Sequence, residues 1–474
     1  GIILITGVAL AGASLQAAVP LASQAKDQVE AGDISGVKKT LDKLNTDAQV
    51  ANVASSTFVW HAAESIPGLG ENLQAIRLIS SLASDLSGEV VMPGIDLLGN
   101  LKNADGGINA VGLANLVPRV ENAFNETTTV STQLNNMDQA QLVGPIRSAV
   151  SKFQEAMVQV NEVSGPALSA LKQLPDMLGV NGPKNYLVLF ANNAEVRSGI
   201  GNPGSMAQIT VDNGNVKITD QAGSQNFPNG AGFEVDPETE ALYGAKVGNQ
   251  IQDITYTPYF DETAKLARQF WATRSQAKID GVIMLDPVAL SYLLAATGPV
   301  SVGDGITLSS DNAVQELLNE IYFRYANDED IAQQAVQQKA FFNSATAATF
   351  SAVTHTDNMT GLVKAISKAA GEGRLMFQSD NKDQMALLAD TRIIGPLPED
   401  NTKKTVIGVF FEYNLAAKMD YYFDSSVTGT TTQCTVTGNT PATFTAATTV
   451  KNTITEDVWK KRPWYISRTN RWQK

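Results

Sequence analysis

The sequence predicts an α/β (α+β) protein in which a helical-bundle stem is followed by a mixed-sheet domain and a β-rich C-terminal region. Three observations predict this fold class. Apolar residues recur every three or four positions over residues 24–180, short apolar runs alternate with amphipathic helices over residues 181–398, and β-branched residues are frequent over residues 399–455. A chain of 474 residues is long enough for several separate regions.

The first 23 residues are apolar and carry no charge, and the first lysine is Lys26. A helix that spans a membrane needs about 20 predominantly apolar residues. We therefore predict a transmembrane anchor over residues 1–23. The stretch starts without Met or a basic flank, which indicates an anchor that is cut short. A signal-peptide core or a buried helix is the alternative.

The stem is predicted to be helical because its apolar residues form an amphipathic stripe, as at Ile34, Val37 and Leu41. Proline and glycine interrupt the pattern at residues 66–70 and 92–94. A bundle of long antiparallel helices is the simplest architecture, and it would serve as a stalk or spacer.

The mixed-sheet domain is predicted from a change of period after the stem. Residues 186–190 form a continuous apolar run, which is typical of a strand buried on both faces. Residues 206–211 and 216–219 flank an Asn-Gly pair and predict a β-hairpin. The remaining predicted elements are helices over residues 262–271, 287–296, 311–325 and 330–353, with Asp286 as the cap of the second, and a strand over residues 282–285.

The C-terminal region is predicted to contain strands over residues 406–413, 419–424 and 427–453. Residues 456–474 differ, because they combine tryptophan with basic residues. This tail is interpreted as a linker, a terminus or a contact with an anionic surface.

Composition excludes several classes of function. A net charge of −13 argues against a whole-surface nucleic-acid binder. Cys434 is the one cysteine, and His61 and His355 are the two histidines. A disulfide framework, a Cys/His zinc site and Cys/His catalysis are therefore not expected, and no metal site is predicted.

Four motifs in one order resemble a bacterial family known as domain-of-unknown-function family 4012. They are residues 66–73, residues 185–197, residues 280–300 and residues 418–422. The resemblance runs from the stem to about Val427. It implies a shared fold but brings no activity with it.

The same layout of strand, polar loop, hairpin and second strand more distantly resembles the LytR-CpsA-Psr enzymes. Those enzymes transfer glycopolymers from a polyprenyl pyrophosphate lipid to peptidoglycan at the outer face of the membrane. The resemblance implies Arg197, Arg324 and Lys339 as phosphate ligands, because guanidinium groups bind phosphate bidentately. It also implies Asp220 as a base or metal-binding carboxylate, with Mg²⁺ if the protein is catalytic.

Asn192, Asn193 and Ser205 are predicted to lie in the loop near this ligand. The alternatives are structural: Arg197 could pair with Glu195, Arg324 with Asp328 or Asp330, and the asparagines could satisfy backbone groups in a turn. The chain also lacks the Arg-Ser-Asp and paired arginines of the LytR-CpsA-Psr pattern. Asn202-Pro203-Gly204-Ser205 and a single lysine, Lys339, stand in their places.

The predicted function is that of a single-pass membrane protein with extracytoplasmic domains that bind a polyprenyl-phosphate or cell-wall glycan ligand. Transfer of a glycopolymer to the wall remains open, because the phosphotransferase site is depleted. The expected partners are the membrane, a polyprenyl-linked glycan or peptidoglycan and other envelope proteins, but no nucleic acid. The alternatives are a non-catalytic envelope scaffold and a soluble sugar-binding domain.

Overall fold

The computed structural model describes residues 2–31, 33–103, 106–395, 397, 406–413, 417–431 and 443–468. With 58% helix and 15% strand, the protein is of mixed α/β class, as predicted. It divides into two compact units, Gly1–Pro183 with Val211–Asn215, and Lys184–Thr210 with Val216–Lys474.

The first unit is helical, as the apolar periodicity predicted. Ala11 of its first helix shares a cluster with Ala51 of its second, whereas Ala25 shares another with Val37, so these two helices are antiparallel. A π-helical turn, Leu86–Val91, joins the fourth helix to the fifth, and a short 3₁₀ turn, Gln139–Gln141, precedes the seventh. The helices are α1 Ile2–Ala31, α2 Ile34–Ser55, α3 Phe58–Ala63, α4 Gly70–Asp85, α5 Met92–Gly99, α6 Ala110–Asn135 and α7 Gly144–Met177.

Trp60 of α3 is the largest side chain that the first unit buries completely. Its ring packs in a cluster with Ala11, Ala51 and Leu73, and its indole Nε1 donates a hydrogen bond of 3.0 Å to the Leu73 carbonyl. The chain turns sharply before α4, where a Cβ on Gly70 would lie 1.9 Å from the Glu64 carbonyl oxygen. Glycine is therefore required there, which explains the break in the helical pattern.

Among the residues whose placement is described, no helix is long and apolar enough to cross a membrane. The predicted anchor includes residues 1–5, 15–19, 22 and 23, whose side chains lie outside the described part of the chain. The anchor therefore stays a prediction.

The second unit is built on a five-stranded mixed sheet with the spatial order β3 (Asn215–Gly223), β2 (Asn202–Asp212), β1 (Lys184–Asn192), β4 (Gly281–Leu285) and β7 (Leu375–Ser379). Its strands β1 and β4 are parallel, whereas β4 and β7 are antiparallel. The predicted hairpin is confirmed: Asn213 and Gly214 both have positive φ, as an Asn-Gly hairpin turn requires. The short strands β5 Val300–Ser301 and β6 Thr307–Leu308 pair separately.

Helices cover both faces of this sheet, so the prediction that β1 is buried on both faces is confirmed. Leu187 and Leu189 pack in a cluster with Phe270, whereas Val188 packs on the opposite side with Leu293. Asp286 caps its helix by accepting a hydrogen bond of 2.8 Å from the Ala289 amide, as predicted. The helices are α8 Pro237–Tyr243, α9 Lys246–Asn249, α10 Phe260–Ala272, α11 Pro287–Thr297, α12 Ala313–Gln315, α13 Ile321–Arg324, α14 Ile331–His355, α15 Met359–Gly371 and α16 Lys382–Leu388; a π-helical turn, Glu316–Glu320, joins α12 to α13.

The C-terminal region differs in part from the prediction. Residues 406–413 form no strand, and Met419–Tyr422 is a 3₁₀ turn, because these segments pair with no strand in the part of the chain that the structure describes. Strands β8 Phe423–Thr431 and β9 Phe444–Asn452 form the predicted β structure as an antiparallel pair. The predicted strand residues 432–442 lie outside the described residues, as do residues 469–474 of the tail, which otherwise contains α17 Glu456–Lys461 and α18 Trp464–Ser467.

Candidate functional site

A cavity of about 580 Å³ lies where the parallel strands β1 and β4 end. Ligands of α/β sheets commonly bind at the carboxyl ends of such strands. Asn192 ends β1, and Asp286 follows β4. Apolar side chains line much of the cavity, among them Phe190, Leu285, Leu290, Leu317 and Phe342; its polar lining includes Asn192, Glu195, Asn202, Ser205, Gln225, Asp286, Tyr322, Gln338, Lys339 and Lys418.

A buried ion pair forms part of the polar lining. Lys418 donates a hydrogen bond to Glu195, whose second oxygen accepts one from the Asn202 amide nitrogen. Glu195 is 2% exposed and Lys418 is 5% exposed. Burial alone would raise the pKa of Glu195, but the charge and hydrogen bond of Lys418 outweigh it and lower that pKa. Both partners are therefore ionised, and the pair has no net charge.

Two tyrosines stand beside this ion pair. Tyr322 accepts a hydrogen bond of 2.6 Å from Asn192, and its ring stacks on Tyr465 with 5.6 Å between centroids. The Lys418 ammonium lies 5.3 Å from the centroid of the Tyr322 ring. Burial raises the pKa of Tyr322 to about 12, so its hydroxyl stays neutral near neutral pH.

The loop between β1 and β2 carries Glu195 and is strained. Ile200 has a φ of 78°, which is unfavourable for a β-branched residue. A Cβ on the next residue, Gly201, would lie 2.7 Å from the Asn192 carbonyl oxygen. Such strain persists only where the surrounding structure enforces it, and it is frequent at functional sites.

Residues 181–322 match a family model described as "Protein of unknown function (DUF4012)". This chain carries the DUF4012 domain. The domain supplies Asn192, Glu195, Asn202 and Tyr322 to the cavity, whereas Lys418 comes from beyond the matched segment. No curated protein matches the chain. The resemblance to the LytR-CpsA-Psr enzymes stays a prediction.

Three of the predicted site residues line the cavity: Asn192 and Ser205 of the DUF4012 domain, and Lys339 of α14. The Lys339 ammonium lies 3.4 Å from the side-chain oxygen of Asn226. Asn193 does not line the cavity; its amide donates a hydrogen bond of 3.1 Å to Asp286.

Arg197 lies apart from the cavity lining. It is 6% exposed, donates hydrogen bonds to the carbonyls of Val196 and Tyr413, and lies 4.5 Å from the Tyr256 ring. A guanidinium nitrogen is 3.9 Å from Glu195, the pairing considered from the sequence. In this structure Arg197 thus fixes the loop of the DUF4012 domain.

Arg324 and Asp220 also lie away from the cavity. Arg324 pairs with Glu316 at 2.9 Å rather than with Asp328 or Asp330. Asp220 of β3 pairs with Arg274 at 3.0 Å. These two charged residues are therefore not brought together with Lys339.

The carboxylates of the lining do not fit a divalent cation. Glu195 is held by the Lys418 ammonium, which would repel a metal ion. Asp286 caps α11 and pairs with Arg374 at 2.7 Å; burial raises its pKa. Within the described ranges, no group of three or more His, Cys, Asp or Glu residues could hold a metal ion. The described lining therefore does not fit Mg²⁺.

Asp420 links the C-terminal segment to the loop between β1 and β2 by a hydrogen bond, and its burial predicts that the stability of the protein depends on pH. Its carboxylate accepts a hydrogen bond of 2.7 Å from the Val196 amide. Burial raises its pKa to about 6, above that of an unfolded aspartate. The resulting stabilisation is fully present below the unfolded pKa and is lost as the pH rises through about 6.

We therefore compare the free energy of unfolding of Asp420→Asn with that of wild type. From about pH 4 to about pH 8, we expect the variant to become about 2 kcal/mol more stable relative to wild type. Asparagine keeps an oxygen that can accept from Val196 but has no proton to lose. Urea unfolding at both pH values measures the difference. Asp424→Asn, on exposed strand β8, is the control. The same pH dependence in both variants would contradict the prediction.

Proposed function

We propose that this protein binds an amphipathic envelope ligand, a glycan linked to a lipid by phosphate, in the cavity of its second unit. The lining of that cavity, which is partly apolar and partly polar, carries the proposal. A volume of about 580 Å³ lies within the range of small-molecule sites. Apolar side chains such as Phe190, Leu290 and Leu317 suit a hydrocarbon chain, and the polar lining suits a head group.

The charges of the lining support a phosphate with little negative charge rather than a pyrophosphate. Glu195 and Lys418 neutralise each other, and Asp286 pairs with Arg374. Lys339 forms no ion pair within the described residues and is therefore the cation that remains. A buried pyrophosphate would need several cationic groups.

The same lining favours binding over transfer. Phosphoryl transfer depends on positioned cations and on a base or water-positioning group. Arg197 and Arg324 are engaged away from the cavity, and Asp220 pairs with Arg274. Among the described lining residues, the carboxylates of Glu195 and Asp286 are both held by cations. A binding role accounts for this arrangement without further groups.

In this proposal the protein belongs to the cell envelope, and its two units lie outside the cytoplasmic membrane. The apolar first 23 residues and the helical first unit support it, as an anchor and a stalk. The net charge of −13 supports partners other than nucleic acid. Peptidoglycan, a polyprenyl-linked glycan and other envelope proteins are the proposed partners.

Obstruction of the cavity tests the proposal. Ala335 and Ala340 are both exposed on α14, but only Ala335 lines the cavity. We expect full-length wild type to bind farnesyl phosphate in isothermal titration calorimetry and Ala335→Trp to bind it at least about tenfold more weakly, or about 1.4 kcal/mol. Tryptophan adds a bulky ring to the lining of the cavity.

Ala340→Trp is the matched control and is expected to bind as wild type does. Equal weakening in both variants, or no binding by wild type, would contradict the proposal. In the second case the non-catalytic scaffold becomes the better hypothesis.

A further inference from the structure

Two buried side chains of the cavity lining have polar atoms that the rest of the structure leaves unsatisfied. Asn202 is 5% exposed and Gln338 is 6% exposed. The Asn202 oxygen Oδ1 and the Gln338 nitrogen Nε2 are buried and have no hydrogen-bond partner within the described residues. Buried polar groups are normally paired, so each such atom needs an explanation, and a missing ligand is one.

The orientation of the Asn202 amide is fixed by its neighbour. An ionised carboxylate only accepts hydrogen bonds, so the Asn202 nitrogen must face Glu195. Its oxygen is left as an acceptor that requires a donor. A fully ionised phosphate has no proton to donate and cannot satisfy that oxygen. A hydroxyl group can donate to Asn202, and another oxygen of the same ligand can accept from Gln338.

The surroundings of Asn202 also favour an uncharged group. Glu195 pairs with Lys418, and Tyr322 is neutral. Arg197, 3.9 Å from Glu195, is balanced by Asp420, whose carboxylate is mostly ionised above pH 6. The stacked ring of Tyr465 lines the same cavity. A sugar combines hydroxyl groups for the amides with a C–H face that packs on an aromatic ring.

From this lining we propose that the cavity takes a sugar ring beside Asn202 and Gln338, while the phosphate of the ligand lies near Lys339. This inference rests on the proposed binding function and adds which residues bind the sugar and where the phosphate lies in the cavity. A site built to pair with hydroxyl groups discriminates strongly against a ligand that lacks them, because its buried polar groups then stay unpaired.

Two probes that share a lipid test the inference: farnesyl phosphate and the diester of farnesyl phosphate with glucose. Full-length wild type is expected to bind the glucosyl diester at least about tenfold more tightly in calorimetric titrations. Gln338→Met should abolish that gain. Gln337→Met, an exposed neighbour on α14, should keep the gain.

A stability measurement separates ligand binding from a structural role. Methionine has a similar length but needs no hydrogen bond, so Gln338→Met is expected to melt at or above the wild-type temperature. A clear fall in melting temperature would assign Gln338 to the fold and overturn its role in binding.

The outcomes for the two probes are distinguishable. Binding of farnesyl phosphate with no gain from glucose would overturn the sugar subsite and leave the proposed function standing. A gain that survives in Gln338→Met would overturn the assignment of that residue. Failure of wild type to bind either probe would remove the proposed function as well. The wild-type comparison requires no variant, so it holds even if a substituted chain does not fold.

Discussion

Replacement of Lys418 by methionine is expected to destabilise the second unit by about 3–5 kcal/mol. Lys418 is 5% exposed and is hydrogen-bonded to Glu195, which is 2% exposed. Loss of the ammonium would leave a carboxylate in the interior without its main counter-charge. The melting transition of the second unit in calorimetry measures the loss, since two compact units need not unfold together.

Two further variants make this prediction specific. Lys460→Met removes an exposed lysine that pairs with Glu456 at 2.6 Å, and it should change stability too little to detect, because solvent screens that pair. The double variant Glu195→Gln with Lys418→Met should recover part of the loss, since no charge is then left unpaired. A double variant as unstable as the sum of its single variants would contradict the ion-pair explanation.

Trp60→Ala is expected to destabilise the first unit by about 3–5 kcal/mol. The indole is completely buried in a cluster with Ala11 and Ala51, and its nitrogen bonds to the Leu73 carbonyl. Truncation leaves a cavity between helices that cannot close around it, and an acceptor without its donor. Thermal unfolding of the first unit measures the change.

Phe58→Ala supplies the matched aromatic control for Trp60. Phe58 also belongs to α3 but is 86% exposed, so its loss should leave the melting temperature nearly unchanged. Similar losses in both variants would show that α3 contributes through its helix rather than through the buried ring.

Local signals made much of the fold predictable. The apolar run of β1, the Asn213-Gly214 turn and the Asp286 cap each depend on a few neighbouring residues, and all three are present. Residues 406–413 show the limit of such signals. Their β-branched composition predicted a strand, but a strand also needs a partner, which composition does not report.

The site was less predictable because it joins distant parts of the chain. Glu195 and Lys418 both stand in motifs that marked the family, yet 223 residues separate them, so no local pattern pairs them. Arg197 was predicted as a phosphate ligand from the LytR-CpsA-Psr resemblance, and the local sequence does not distinguish a buried arginine from one that faces a ligand. Its hydrogen bond to the Tyr413 carbonyl, far along the chain, decides its position.

Tyr465 stacks on Tyr322 at the cavity, and this side of the cavity therefore cannot form until residue 465 has been synthesised. About 180 residues separate Tyr465 from Leu285 at the end of β4, which corresponds to roughly 9–36 s of translation at about 5–20 residues per second. During that interval the carboxyl ends of β1 and β4 lack one of their covering rings. A nascent chain thus has a period in which its apolar cavity is open on that side, when chaperone protection would matter most.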